Sequence, residues 1–196
     1  MIRTASGGRT TGKPSSAVQD LSSFRLPRNF RGRSAFVVQL WWAVQATAFH
    51  GSPQICYGLR SWLLRLFGAQ IGRGVRIRPS ATVTYPWKVT LGDDVWIGDD
   101  VVIYSLGKII VGSNVVVSQK SYLCAATHDY KSRSFDMKES TIVINDEVWI
   151  STDVFVAPGV EIGKGAVVGA RSSVFNDLPP MMVSMGSPAK PVRPRI

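Results

Sequence analysis

The chain has 196 residues, 45% of them hydrophobic, and a formal charge of +10. It is long enough for one substantial core and too apolar to remain unfolded. Its two cysteines, Cys56 and Cys124, offer neither a disulfide framework nor metal-ligand spacing. The charge is concentrated at the ends. Residues 1–33 carry seven Arg or Lys against Asp20 alone, and Lys190, Arg193 and Arg195 close the chain. The thirteen basic and twelve acidic residues between them nearly cancel. No basic–aromatic stripe or known binding motif accompanies the charge, so nucleic acid is not an expected partner. A basic arm and tail suit anionic lipid, a phosphorylated ligand or plain solvation.

In chain order, residues 1–20 are rich in Ser, Thr, Gly and Arg and are predicted to be a disordered basic arm. The first thirty residues lack the apolar core of a secretory signal, so a reduced, cytoplasmic chain is expected. Residues 21–70 are predicted to be helical. Ser34 can cap a helix over 35–49 that Gly51 and Pro53 stop, and a second helix over 54–67 ends at Gly68. The first apolar run is shorter than the roughly 20 residues that span a bilayer. Trp41, Trp42, Trp62 and Phe67 have two readings. They pack the helices on the main domain, or they lie in a membrane interface beside Arg60 and Arg65.

From residue 71 onward the chain repeats. Every sixth position reads Ile71, Ile77, Val83; Leu91, Ile97, Ile103; Val111, Val117, Leu123; then Ile144, Ile150, Val156, Ile162, Val168, Val174. All fifteen are aliphatic, although Ile, Leu and Val make up only about a quarter of the chain. The residue four positions later is small or β-branched in thirteen of the fifteen repeats, Trp87 and Leu178 being the exceptions. A period of six suits neither a helix nor a flat strand. It suits a chain that turns a corner every six residues, three short strands to a coil, with the aliphatic residue inward and the small one at the bend. The pairs Val89-Thr90 and Ile109-Ile110 are two-residue insertions that a corner bulge can absorb. Coils are expected over 71–90, 91–110, 111–128, 144–161 and 162–179.

This pattern resembles the hexapeptide-repeat family. The resemblance implies an all-β fold, a left-handed parallel β-helix of about five coils over residues 71–180, with the N-terminal helical region as an appendage and residues 181–196 as a basic tail. The left hand comes from the resemblance alone and departs from the usual right-handed crossover.

The repeat breaks once, where polar residues 124–143 are extruded as a loop. His128 stands at its root, at a corner position whose side chain faces away from the packed interior. A lone histidine is ordinarily a surface group, but this one occupies the single break in the register. Thr127-His128 resembles the catalytic segment of sugar O-acetyltransferases in this superfamily. There the histidine takes a proton from an acceptor hydroxyl that attacks acetyl-CoA, work for which imidazole is suited. His50 follows a helix, and Cys124, at a rung position, reads as packing.

The resemblance also implies cofactor contacts. Thr152 and Ala170 fall beside the pantetheine arm, and Asn176, Lys190 and Arg193 near the adenosine phosphates, although a solvated tail would explain the basic residues equally well. Asp99 and Asp100 stand where relatives carry an acceptor-binding polar residue, often Asn; ordinary corner residues are the other reading. Leu21-Ser-Ser-Phe24, Phe30-Arg-Gly32, Val38 to Thr47, Tyr85-Pro-Trp-Lys88 and Ser118 to Leu123 are similar to the colanic acid biosynthesis acetyltransferases. This likeness implies a homotrimer that acetylates a sugar of a lipid-linked exopolysaccharide unit, with peripheral contact at the inner face of the cytoplasmic membrane. Other acceptors (a nodulation-factor-like oligosaccharide, a nucleotide sugar, an antibiotic) and a non-catalytic trimeric scaffold stay open. The metal-dependent carbonic anhydrases of this fold need three histidines per site, and the chain has two.

Overall fold

The computed structural model describes residues 17–196, so most of the predicted arm, residues 1–16, lies outside the described residues. From residue 70 onward the chain is a left-handed parallel β-helix with three faces. Face one stacks Gln70–Ile71, Val89–Leu91, Ile109–Val111, Ile142–Ile144 and Glu161–Ile162. Face two stacks Arg76–Ile77, Trp96–Ile97, Val116–Val117, Trp149–Ile150, Val167–Val168 and Met182–Gly186, closed by the antiparallel strand Ala189–Pro194. Face three stacks Thr82–Val83, Val102–Tyr104, Tyr122–Cys124, Phe155–Val156 and Ser173–Val174. The expectation of five coils is met and exceeded. Leu178 bridges to Ile162 and Met182–Gly186 pairs with Val167–Val168, which begins a sixth turn. The six-residue register stops before that turn, so the repeat gave no sign of it. The basic tail is therefore an ordered hairpin.

The register explains the burial. Of the fifteen repeat aliphatics only Ile71, at the first rung, is not fully buried, and burying each inward side chain contributes about 1.5–3 kcal/mol. The small residues at the bends are buried as well, apart from Trp87 and Thr127. The two-residue insertions do not bulge at a corner. They lengthen the strands of face one, where Val89 and Ile109 point inward two residues before Leu91 and Val111. Strand alternation thus doubles the inward residues on that face.

The helical region closes the N-terminal end of the coil. Helix α1 spans Ala35–Val44, with Ser34 Oγ accepting from Val37 N at 3.4 Å, and it runs into a π turn over Gln45–Phe49. The wider turn keeps Trp41, Gln45 and Phe49 on one buried side. Helix α2 spans Tyr57–Leu66 and begins three residues later than expected. Pro53 O accepts from Cys56 N in a turn and from Arg60, and Gln54 O accepts from Arg60. The first coil exposes a row of backbone groups that would otherwise pair with another strand, and side chains from the helices satisfy them. Trp41 Nε1 donates to Val83 O at 2.8 Å, and Gln45 Oε1 accepts from Val83 N at 2.7 Å. Arg60 Nε donates to Ile77 O at 2.6 Å, Arg65 donates to Ile71 O and Gly72 O, and His50 Nε2 to Ala81 O.

The two readings of the aromatic residues divide. Trp41 is fully buried and Phe67 half-buried, whereas Trp42 and Trp62 are exposed. Arg60 is fully buried, with its guanidinium bonded to four oxygens, so it is not available to a membrane interface. Three of these oxygens, Ser52 Oγ, Pro53 O and Gln54 O, come from the helical region and the fourth, Ile77 O, from the coil, a convergence that residue types alone do not signal.

Candidate active site

The break in the coil is a β-hairpin rather than an irregular loop. Ala126–His128 pairs antiparallel with Met137–Glu139, with His128 opposite Met137, and the chain rejoins face one at Ile142. Its tip is held by short polar bonds. Asp136 accepts from Ser132 Oγ and Ser134 Oγ, both at 2.7 Å, and Asp129 pairs with Lys138 at 2.8 Å. These partners hold both carboxyls below the usual carboxylate range.

His128 is half-buried at the third corner, between faces three and one. Its Nδ1 lies 2.8 Å from Phe135 O, and its ring stacks on the Phe135 ring at 4.2 Å and 10°. Phe135 sits at φ 55°, a left-handed conformation that a non-glycine residue adopts at a cost. That conformation turns both its carbonyl and its ring toward the imidazole. A carbonyl only accepts, so Nδ1 carries the hydrogen and the proton-accepting lone pair is on Nε2. The Phe24 ring lies tilted beside the imidazole, with centroids 6.1 Å apart, and Asp20 N donates to Arg133 O of the hairpin.

Lys88 fixes the hairpin's root. Its Nζ donates to Phe30 O at 2.8 Å, to Leu106 O, and to the Glu139 carboxylate at 2.7 Å. Trp87 Nε1 donates to Arg31 O at 2.6 Å, and Tyr85 stacks on Trp87. The segment Tyr85-Pro-Trp-Lys88 thus ties the chain's N-terminal segment, the second coil and the hairpin together. Beside them Cys124 is half-buried with Sγ 3.2 Å from Ala126 O, and burial pushes its thiol up, which opposes thiolate chemistry.

The remaining sequence-predicted residues lie elsewhere in the chain. Asp99, Asp100, Thr152 and Ala170 line the second corner, between faces two and three, in coils two, four and five. Asp99 is bonded to Arg78 Nε at 2.9 Å and Ser80 Oγ at 3.2 Å. Asp100 is exposed at φ 57°, and Thr152 Oγ1 donates to Gln119 O at 3.0 Å. Lys190 and Arg193 are exposed on the strand that closes face two. Asn176 is exposed at the third corner, two coils beyond His128. Within one chain, therefore, His128 and Asn176 stand at one edge of face three, Thr152 and Ala170 at the other, and Lys190 and Arg193 on face two.

That face holds what sequence reasoning missed. Tyr104, Tyr122, Phe155 and Phe175 form one outward ladder of rings, with successive centroids 5.8, 6.1 and 5.9 Å apart. Burial raises both tyrosines, Tyr122 to about 12. Each ring stands one position from an inward aliphatic, and that offset was the available signal. A cavity of about 340 Å³ opens on face two beside Asp99, lined by Tyr57, Arg76, Arg78, Trp96 and Gln119. Arg76 lies 5.1 Å over the Trp96 ring. Among the described residues no three His, Cys, Asp or Glu cluster as metal ligands.

A three-faced left-handed coil of hexapeptides is the fold of the hexapeptide-repeat acetyltransferases. No family model matches the chain. It is 58% identical over 179 residues to an Escherichia coli K12 protein provisionally named colanic acid biosynthesis acetyltransferase WcaF, covering 91% of this chain and 98% of that protein. A hexapeptide-repeat acetyltransferase of Vibrio cholerae, solved with acetyl coenzyme A, superposes with a TM-score of 0.76 at 26% identity, covering 83% of this chain and 91% of that one. A Clostridium difficile maltose O-acetyltransferase shares the fold at the same TM-score and 23% identity, covering 82% and 89%. The chain belongs to the colanic acid biosynthesis acetyltransferase family.

Proposed function

We propose that the protein transfers an acetyl group from acetyl-CoA to a sugar hydroxyl of a lipid-linked exopolysaccharide unit, with His128 as the general base. The observation that carries the reading is the bond from His128 Nδ1 to Phe135 O, which leaves Nε2 as the basic atom. Nε2 takes the acceptor hydroxyl proton as the oxygen attacks the thioester carbonyl. The tetrahedral intermediate then collapses, the carbon–sulfur bond breaks, and the departing thiolate receives the proton from Nε2–H. No acyl-enzyme forms. General-base assistance of this kind is worth about 10²–10⁴-fold.

A homotrimer completes the site. The ring ladder gives face three an apolar exterior suited to burial about a threefold axis. Packing that face inward sets the third corner of one chain against the second corner of its neighbour. His128 then faces the neighbour's corner, where the candidate residues run in the order the reaction needs. Asp99 and Asp100 meet the acceptor, Thr152 and Ala170 flank the pantetheine arm, and Lys190 and Arg193 answer the phosphates. Asn176 adds a polar contact from the first chain. The coils between His128 and the closing hairpin rise about 14 Å, three spacings of ~4.8 Å. A membrane-bound acceptor places the enzyme at the inner face of the cytoplasmic membrane.

Release of free CoA thiol should be measured with simple sugars, oligosaccharides and a lipid-linked oligosaccharide as acceptors. The reading expects turnover with sugar hydroxyls, fastest with the lipid-linked unit. Turnover confined to non-sugar acceptors, or none at all, would contradict it.

A further inference from the structure

The helical cap carries a surface that the coil does not use. On α1, Phe36 is 75% exposed and Leu40 44%; on α2, Leu59, Trp62 and Leu66 are 41%, 55% and 62% exposed. The spacings 36–40 and 59–62–66 set each group along one outward stripe of its helix. Both helices therefore carry exposed apolar side chains on the side that faces solvent as well as buried ones toward the coil. No charged residue occurs from residue 34 through 59. Within the helical region, residues 21–70, every formal charge is positive. From residue 21 through 92 the chain has ten Arg or Lys and no Asp or Glu. Of these cations Arg25, Arg28, Arg33 and Arg65, in the helical region, are exposed, as are Arg73 and Arg76 in the first coil, where Arg73 pairs with Asp93. An outward apolar stripe framed by cations is the pattern of a helix that lies in a bilayer interface. No helix among the described residues is long and apolar enough to cross a membrane.

We infer that the outer side of the α1–α2 cap docks on an anionic lipid bilayer, with Phe36, Leu40, Trp62 and Leu66 in the interface and the arginines at the headgroups. The inference deepens the proposed function and rests on it for its purpose. The cap closes the N-terminal end of each coil, so a trimer about an axis along the coils presents three caps on one end. His128, in the third coil, then stands about 20 Å from the bilayer: two coil spacings of ~4.8 Å above the first coil, plus a helix layer of ~10 Å. A sugar on a lipid carrier reaches that height.

The test is flotation of the full chain with vesicles of phosphatidylglycerol and phosphatidylcholine, and with phosphatidylcholine alone. The parent chain should bind the anionic vesicles at least tenfold more tightly. The F36Q/W62Q/L66Q variant should lose at least tenfold of that binding, while its trimer and its turnover on a soluble sugar stay unchanged. Lipids brominated in the acyl chain should quench the parent chain's tryptophan emission, a readout that needs no variant. Absence of binding or quenching by the parent chain would overturn the inference. So would undiminished vesicle binding by the variant, or a parent chain that assembles beyond three copies through this surface. All of these readouts are independent of acetyl transfer, so a failed docking surface and a failed enzymatic reading are told apart.

Discussion

Phe135 holds His128 twice, accepting from its Nδ1 at 2.8 Å and stacking on its ring at 4.2 Å, and does both from a left-handed backbone at φ 55°. One residue thus sets both the tautomer and the plane of the imidazole.

The two contacts separate in Phe135→Gly. The substitution keeps the carbonyl and relieves the backbone strain, but it removes the ring. Turnover should fall between about tenfold and a hundredfold, the cost of a loosened catalytic geometry, with KM for acetyl-CoA nearly unchanged. Steady-state kinetics check this. An unchanged kcat would mean that the carbonyl alone positions the imidazole.

Lys88→Met removes a cation that joins two backbone carbonyls and Glu139 at the hairpin's root. Leaving those acceptors unpaired should cost about 2 kcal/mol in urea unfolding. Because Lys88 touches neither the acceptor nor acetyl-CoA in the proposed site, kcat should fall more than either KM.

Arg60 is fully buried without a carboxylate partner, and its burial lowers the pKa of its guanidinium. Neutral oxygens of Ile77, Ser52, Pro53 and Gln54 surround it. Lysine cannot reproduce this fork, so Arg60→Lys should destabilise the fold by about 2 kcal/mol or more. The loss should appear as a lower urea midpoint with the spectrum of the folded coil retained.

Tyr122 predicts an alkaline limit. An unfolded tyrosine ionises near pH ~10, while burial on face three pushes folded Tyr122 to about 12. The stability tied to that proton is whole below pH ~10 and is lost as the pH rises toward 12. Urea midpoints measured across this range should fall in the parent chain and fall less in Tyr122→Phe.

The inward half of the fold was legible because the coil repeats one geometry, so Ile77, Ile97, Val117, Ile150 and Val168 recur under one steric demand. The outward half obeys no such rule. Tyr104, Tyr122, Phe155 and Phe175 stand before or after their inward neighbour, and only the stacked strands align their rings. His128 was marked by the break in register, but its partner Phe135 was hidden in the polar loop, because a carbonyl direction has no sequence signature. Arg60 was hidden for a related reason, since its acceptors are backbone oxygens brought together by the fold. Asp99 stood out as a carboxylate, and its bond to Arg78, twenty-one residues earlier, depends on how one coil stacks on the next.

The central claim is that His128 Nε2 is the base, and His128→Ala tests it most directly. Initial rates of CoA release with a sugar acceptor should fall about 10²–10⁴-fold, while the melting temperature and the oligomeric state stay those of the parent chain. A variant that is folded, assembled and as fast as the parent chain would contradict the account.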